Sequence, residues 1–223
     1  MKKLKMMLYG AVALLLASIV TTPLMAGSSD FAGPYIAIQA QANGAVMNGT
    51  ATETDTGTTN GTLGKTFAST GLQLGYAFPV GESFLLGLDF TYQPGNGKIS
   101  LDAGSNDSDG DGDDVTLDIS DLYSGSIMAM VSVSDSSAVY IKGGISQASI
   151  DWTGSVDTSL NSSMRGEHAA IGSRTLYQGG AFLQTEFGIT DFDQMTVNHV
   201  GEGGTATANP KTVYGSVAIG FRF

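Results

Sequence analysis

The sequence predicts an all-β chain: an eight-stranded antiparallel up-and-down transmembrane β-barrel, preceded by a cleavable signal peptide. Three observations carry that prediction. Side chains alternate between apolar and polar or small along successive segments, the connections between these segments alternate between short and long, and aromatic residues gather at both ends of the segments. A strand turns successive side chains to opposite faces, and a barrel in lipid must turn apolar groups outward and polar or small groups inward.

Residues 1–26 read as the signal peptide. Lys2, Lys3 and Lys5 precede an uncharged apolar run over residues 6–20, and Ala26 supplies a small residue at the expected cleavage point. Leu24, third before the cut, is larger than is usual there, which leaves the cut free to shift by a few residues. The apolar run is shorter than the roughly 20 residues of a spanning helix. Residues 27–223 are then expected to form one domain, the barrel. Ten basic against 21 acidic side chains give a formal net charge of −11, and three of the ten bases lie in the leader, so the mature part is more acidic still. Nucleic acid is a poor partner for such a chain. With no cysteine in the sequence, neither disulfides nor a lipid-modified N-terminal cysteine are available, and stability must come from another source, such as closure of the sheet.

Strands are expected over 35–46, 67–78, 84–93, 117–133, 139–150, 176–189, 194–199 and 212–223. The first is faint in its alternation. The second and third are clearest: Ala68, Thr70, Leu72, Leu74, Tyr76 and Phe78 share one face, and after a turn at 79–83 Phe84, Leu86, Leu88, Phe90 and Tyr92 continue it. The pair reads as a hairpin, whereas a helix would need a period of about 3.6 residues. The seventh is the weakest, with only Met195 and Val197 on its apolar face. Short turns at 79–83, 134–138 and 190–193 would lie on the periplasmic side with both termini, and the long Gly/Ser/Thr/Asp-rich segments outside.

Aromatic placement gives a partly independent check, because Tyr, Trp and Phe prefer the two membrane interfaces. In this register Tyr76, Phe78, Phe84, Phe187, Phe221 and Phe223 fall outward near the short-turn ends, and Tyr92, Tyr123 and Tyr177 outward near the long-loop ends. A soluble β-sandwich also alternates, but it gives no reason for aromatics at both strand ends.

The chain ends Val217, Ala218, Ile219, Gly220, Phe221, Arg222, Phe223, with apolar residues at every second position and a closing aromatic. This resembles the C-terminal strand of bacterial outer-membrane proteins, and the resemblance implies that Phe221 and Phe223 form the signal read by the barrel-assembly machinery. Residues 31–37 (Phe-Ala-Gly-Pro-Tyr-Ile-Ala), and Glu186-Phe187 followed by Thr190-Asp191, also look like the small barrel family that includes the transmembrane domain of outer membrane protein A, the opacity-type proteins and outer membrane protein W. The resemblance covers essentially all of residues 27–223 and implies architecture, an outer-membrane location and contact with membrane lipids and lipopolysaccharide. No peptidoglycan-binding domain follows Phe223, so a cell-wall tether is not expected.

Inside the barrel, Asp89, Lys142, Glu186 and Arg222 are expected to form a paired network, with Gln39, Gln73, Gln93, Gln184, Asn198 and Tyr214 also facing the lumen. A Lys or Arg facing lipid at mid-depth would cost about 2–4 kcal/mol, which favours the inward assignment. Eight strands enclose a space that side chains can just fill. A packed lumen is therefore expected over a narrow passive pore. In the second long loop, Asp107, Asp109, Asp111, Asp113 and Asp118 carry the spacing of a twelve-residue calcium loop, with Gly112 at the bend. Asp118 replaces the usual Glu, and the flanks are not helical in pattern. A solvated acidic loop is the plainer reading of such a run. Glu167, His168 and Ser173 cluster in what reads as the third loop and could supply a base and a nucleophile, but proximity in sequence is not a triad. No cofactor motif is present, and His199 and Trp152 read as interfacial rings. The expectation is a non-enzymatic barrel with acidic surface loops in a structural or surface-interaction role, its surface ligand unidentified.

Overall fold

The computed structural model describes residues 27–53, 57–95, 97–101, 115–153, 162–198 and 205–223. The expected signal peptide and the run 107–113 of the calcium reading lie outside these residues. Strand dominates: β1 (Gly33–Glu53), β2 (Gly57–Pro79), β3 (Phe84–Gln93), β4 (Gly97–Leu101), β5 (Val115–Ser134), β6 (Ser137–Thr153), β7 (Ser162–Leu176), β8 (Ala181–Phe192), β9 (Met195–Asn198) and β10 (Thr205–Arg222). Among the described residues no helix is long and apolar enough to cross a membrane.

The pairing is antiparallel throughout, in the order β1-β2-β3-β5-β6-β7-β8-β10, and β10 returns to β1 to close the wall. Closure leaves the wall no exposed edge, so backbone groups within it are paired. The wall has eight strands. β4 pairs only with the outer part of β5, and β9 only with that of β10, so both extend the wall beyond the barrel rather than joining it.

Alternation sets the faces. Along β1, Tyr35, Ala37, Gln39, Gln41 and Asn43 are buried, whereas Ile36 and Ile38 are exposed. Along β3, Leu86, Leu88 and Phe90 face out, and Leu85 and Asp89 face in. The outward set is a belt of large apolar side chains, including Leu74, Leu88, Ile127, Ile145, Ile171, Val217 and Ile219, all exposed. Near the long-loop ends Tyr92 stacks on Tyr123 with centroids 4.8 Å apart. Asp121, at a bulge with φ 49°, accepts the Tyr92 hydroxyl at 2.8 Å.

Three expectations are corrected. The region read as the third loop is the wall strand β7, and 194–199 is not a wall strand. The turn between β7 and β8 lies at Tyr177 to Gly180, not at 190–193, because Gly179 and Gly180 take φ of 83° and 91°, a conformation open to glycine. A strand read through 176–189 runs straight across that turn. β8 therefore runs away from the short-turn end, so Tyr177 belongs to the short-turn girdle and Phe187 to mid-belt. The other short connections match expectation, with Val80 and Gly81 N–H donating to the Phe84 carbonyl at 2.9 and 3.3 Å.

Candidate functional site

The lumen is layered, and each layer follows from which side chains the register turns inward. At the short-turn end the chain before β1 forms a 3-10 turn, Ser28–Phe31. The Ser28 N–H donates to the Glu82 carbonyl at 2.7 Å, and its hydroxyl to the Gly81 carbonyl at 2.5 Å, which pins the segment across the opening. Phe31 is fully buried among Ala77, Leu85, Met128, Met130, Ala138 and Tyr140. These inward apolar residues make a floor. In the sequence Phe31 stands out only as part of a family-like motif, and the signal for its role is a lone large apolar residue between Asp30 and Ala32.

Above the floor sits a charged clamp. Lys142 Nζ lies 3.3 Å from Asp89 Oδ1 and 3.0 Å from Glu186 Oε2, all three buried. Asp89 also accepts Tyr35 Oη at 2.7 Å, Gln73 Nε2 at 2.6 Å and Thr91 Oγ1 at 3.3 Å. Glu186 accepts Tyr140 Oη and Tyr214 Oη, each at 2.8 Å. Each carboxylate is thus paired and hydrogen-bonded, the condition under which burying an ion is tolerable. The three tyrosines reach inward by lying over glycines on the neighbouring strand, in the directly opposed pairs Tyr35/Gly75, Tyr140/Gly172 and Tyr214/Gly188. A Cβ at any of these glycines would collide with the ring.

The second base of the network is Arg174, not Arg222. Arg174 is 1% exposed, with Cζ 4.0 Å from the Tyr35 ring centroid and 4.5 Å from that of Phe182. Its Nε and Nη2 donate to Gln184 Oε1 at 3.0 and 2.7 Å, and Gln184 Nε2 donates to Gln73 Oε1 at 3.3 Å, which joins it to the clamp. Arg222 instead donates Nη1 to the Ala32 carbonyl at 3.0 Å, beside the floor. It stands at the end of β10, too near the terminus to reach the acids.

Further out the lumen is polar and open, so the packed lumen expected from the sequence is found only in the inner half, because the outer inward-facing side chains are mostly amides and small hydroxyls that do not fill the space. A cavity of about 760 Å³ has Lys142 and Glu186 on its inner side and Phe67, Leu122 and Phe192 toward the loops. One wall carries a chain of hydrogen bonds: Gln93 Nε2 to Gln41 Oε1 (3.1 Å), Gln41 Nε2 to Asn43 Oδ1 (2.6 Å), Asn43 Nδ2 to Ser69 Oγ (3.0 Å) and Ser69 Oγ to Gln93 Oε1 (3.1 Å). The expected inward residues Gln39, Gln73, Gln93, Gln184 and Tyr214 all face the lumen, whereas Asn198 falls on β9, outside the closed wall.

His168 is a wall residue rather than a loop residue. Its Nε2 lies 2.7 Å from Ser126 Oγ and its Nδ1 3.0 Å from Ser146 Oγ. Glu167 and Ser173 stand on the opposite face of β7, and the Ser173 hydroxyl is 2.9 Å from that of Thr185. The suggested base and nucleophile are therefore not brought together. Trp152 lies one residue before the end of β6, Asp118 on the outer part of β5, and His199 outside the described residues. Among the described residues no cluster of His, Cys, Asp or Glu could hold a metal ion.

No family model matches the chain, and no curated protein matches it in sequence. Solved structures do match. The outer membrane protein OprG from Pseudomonas aeruginosa is 13% identical, with 86% of this chain and 97% of that one covered at a TM-score of 0.50. The attachment invasion locus protein Ail of Yersinia pestis is 10% identical over 82% of this chain and 98% of its own, at 0.42. The outer membrane protease OmpT from Escherichia coli is 8% identical over 86% and 97%, at 0.47. At such identities the likeness is one of fold, and the closed wall with its exposed apolar belt agrees with it: the chain has the fold of the small bacterial outer-membrane β-barrels.

Proposed function

We propose that the chain is a non-enzymatic bacterial outer-membrane barrel, closed to ions and solutes, whose wall supports acidic loops outside the cell in a structural or surface-interaction role. The observation that carries this reading is the closed inner half of the lumen: the Phe31 floor with the Lys142, Asp89 and Glu186 clamp directly above it. An ion crossing that floor would shed its water among apolar side chains that offer it no ligand, a severe cost. The belt of exposed apolar residues between aromatic ends supports placement in a bilayer. Against catalysis stands the setting of His168, whose two ring nitrogens face serine hydroxyls, with no carboxylate orienting it among the described residues. Outside, loop carboxylates and lipopolysaccharide phosphates would repel one another unless divalent cations bridge them, which makes such cations natural partners of this surface.

Planar-bilayer recording of the refolded chain tests the closed lumen. A flat baseline is expected; steady single-channel steps of reproducible size would assign a narrow passive pore instead.

A further inference from the structure

The outer half of the lumen is not filled by its own side chains. We propose that this chamber is a binding site for a neutral, polyhydroxylated small molecule of mono- or disaccharide size, entering from the loop side.

The space is adequate, since small-molecule sites commonly measure about 300–1,000 Å³ and this one measures about 760 Å³. Its depth is limited by the clamp, so a guest would be held rather than passed on. Charge decides the class of guest. Lys142 is already shared between Asp89 and Glu186, and Arg174, joined to Asp89 through Gln184 and Gln73, balances the second carboxylate, so the inner charges sum to zero and leave no free counter-charge for an incoming ion. A charged guest would lose its hydration without compensation. The other polar side chains are amides, hydroxyls and one imidazole, among them Gln41, Asn43, Ser69 and Gln93 on one side and Ser146 and His168 on the other. Amides and hydroxyls both donate and accept, as sugar hydroxyls do, so the chain of bonds among them can be exchanged one for one with a guest. A guest with few hydroxyls would leave these buried groups unmatched.

The mouth fits the same guest. Phe67 and Leu122 pack with the cluster of Ala45, Ala148, Met164 and Phe192 to form an apolar collar at the loop end of the chamber. Such a collar disfavours hydrated ions and offers aromatic surface to the C–H face of a sugar ring. The proposal does not depend on the reading of the loops, and a conducting lumen would not by itself remove the chamber.

Equilibrium dialysis of labelled glucose and sucrose against the folded chain tests it, in a zwitterionic detergent free of sugar, with acetate and tetramethylammonium as charged controls. Saturable binding of at least one sugar is expected, without saturable binding of either control. Gln41→Leu should weaken it by about tenfold, the loss of one or two hydrogen bonds. Ser146→Leu, which fills the chamber from the opposite wall, should do the same and serves the comparison if the first variant does not fold. Heat-dependent gel migration reports folding in each case. No saturable binding of either sugar, equal binding by a folded variant, or equal binding of a charged control would overturn the proposal.

Discussion

Replacing Lys142 with Met is expected to lower the unfolding free energy by about 3–5 kcal/mol, the cost of removing one partner from a buried ion pair. In the native lumen the ammonium sits between Asp89 and Glu186. Without it, two carboxylates remain buried on opposite walls with no cation between them, and their tyrosine and glutamine donors cannot supply the missing charge. The remedy is specific: Glu186→Gln, added to Lys142→Met, should recover most of the loss, because Asp89 keeps the charge of Arg174, joined to it through Gln184 and Gln73, and the neutral amide keeps hydrogen bonds to the same tyrosines. Urea unfolding of the barrel in lipid vesicles, followed by gel migration, measures both steps. A single variant as stable as the parent would show that the clamp contributes nothing to holding the walls together.

Ile127→Lys is expected to cost about 2–4 kcal/mol, the penalty for a lysine on the lipid face near mid-depth. Ile127 is 65% exposed and directly opposes Leu88 on β3, so its cost in water would be close to nothing and its cost in lipid is large. Thr62→Lys on β2, an exposed position well beyond the last β2–β3 pair at Leu72, is the control and should change stability little. The same vesicle unfolding curves decide the matter. Equal effects at the two positions would mean that the apolar belt does not face hydrocarbon.

Much of the fold was legible where a strand lies wholly within the belt. β3 spans residues 84–93 as read, because every second residue from Phe84 to Tyr92 is large and apolar or aromatic. β7 is not legible in the sequence for a physical reason: its outward residues include Ser163, Arg165, Glu167 and Ser173, so only Ala169 and Ile171 signal lipid. The segment around Met195 and Val197 alternates about as well, yet it pairs with β10 alone. One strand omitted and one wrongly included left the count at eight. The inward set of acids and Lys142 was readable from parity alone. Arg174 was not, since its strand reads as a loop, and the pairing of each clamp tyrosine with a glycine becomes visible only once register is known.

In a transmembrane barrel alternate residues of the wall touch hydrocarbon. With no native cysteine, single cysteines can be placed one at a time at positions 123–130 of β5, spin-labelled and refolded into lipid vesicles. Labels at 123, 125, 127 and 129 should collide freely with dissolved oxygen and those at 124, 126, 128 and 130 should not, a strict period of two. Equal access at neighbouring positions, or access of a water-soluble relaxer to all of them, would contradict the membrane barrel.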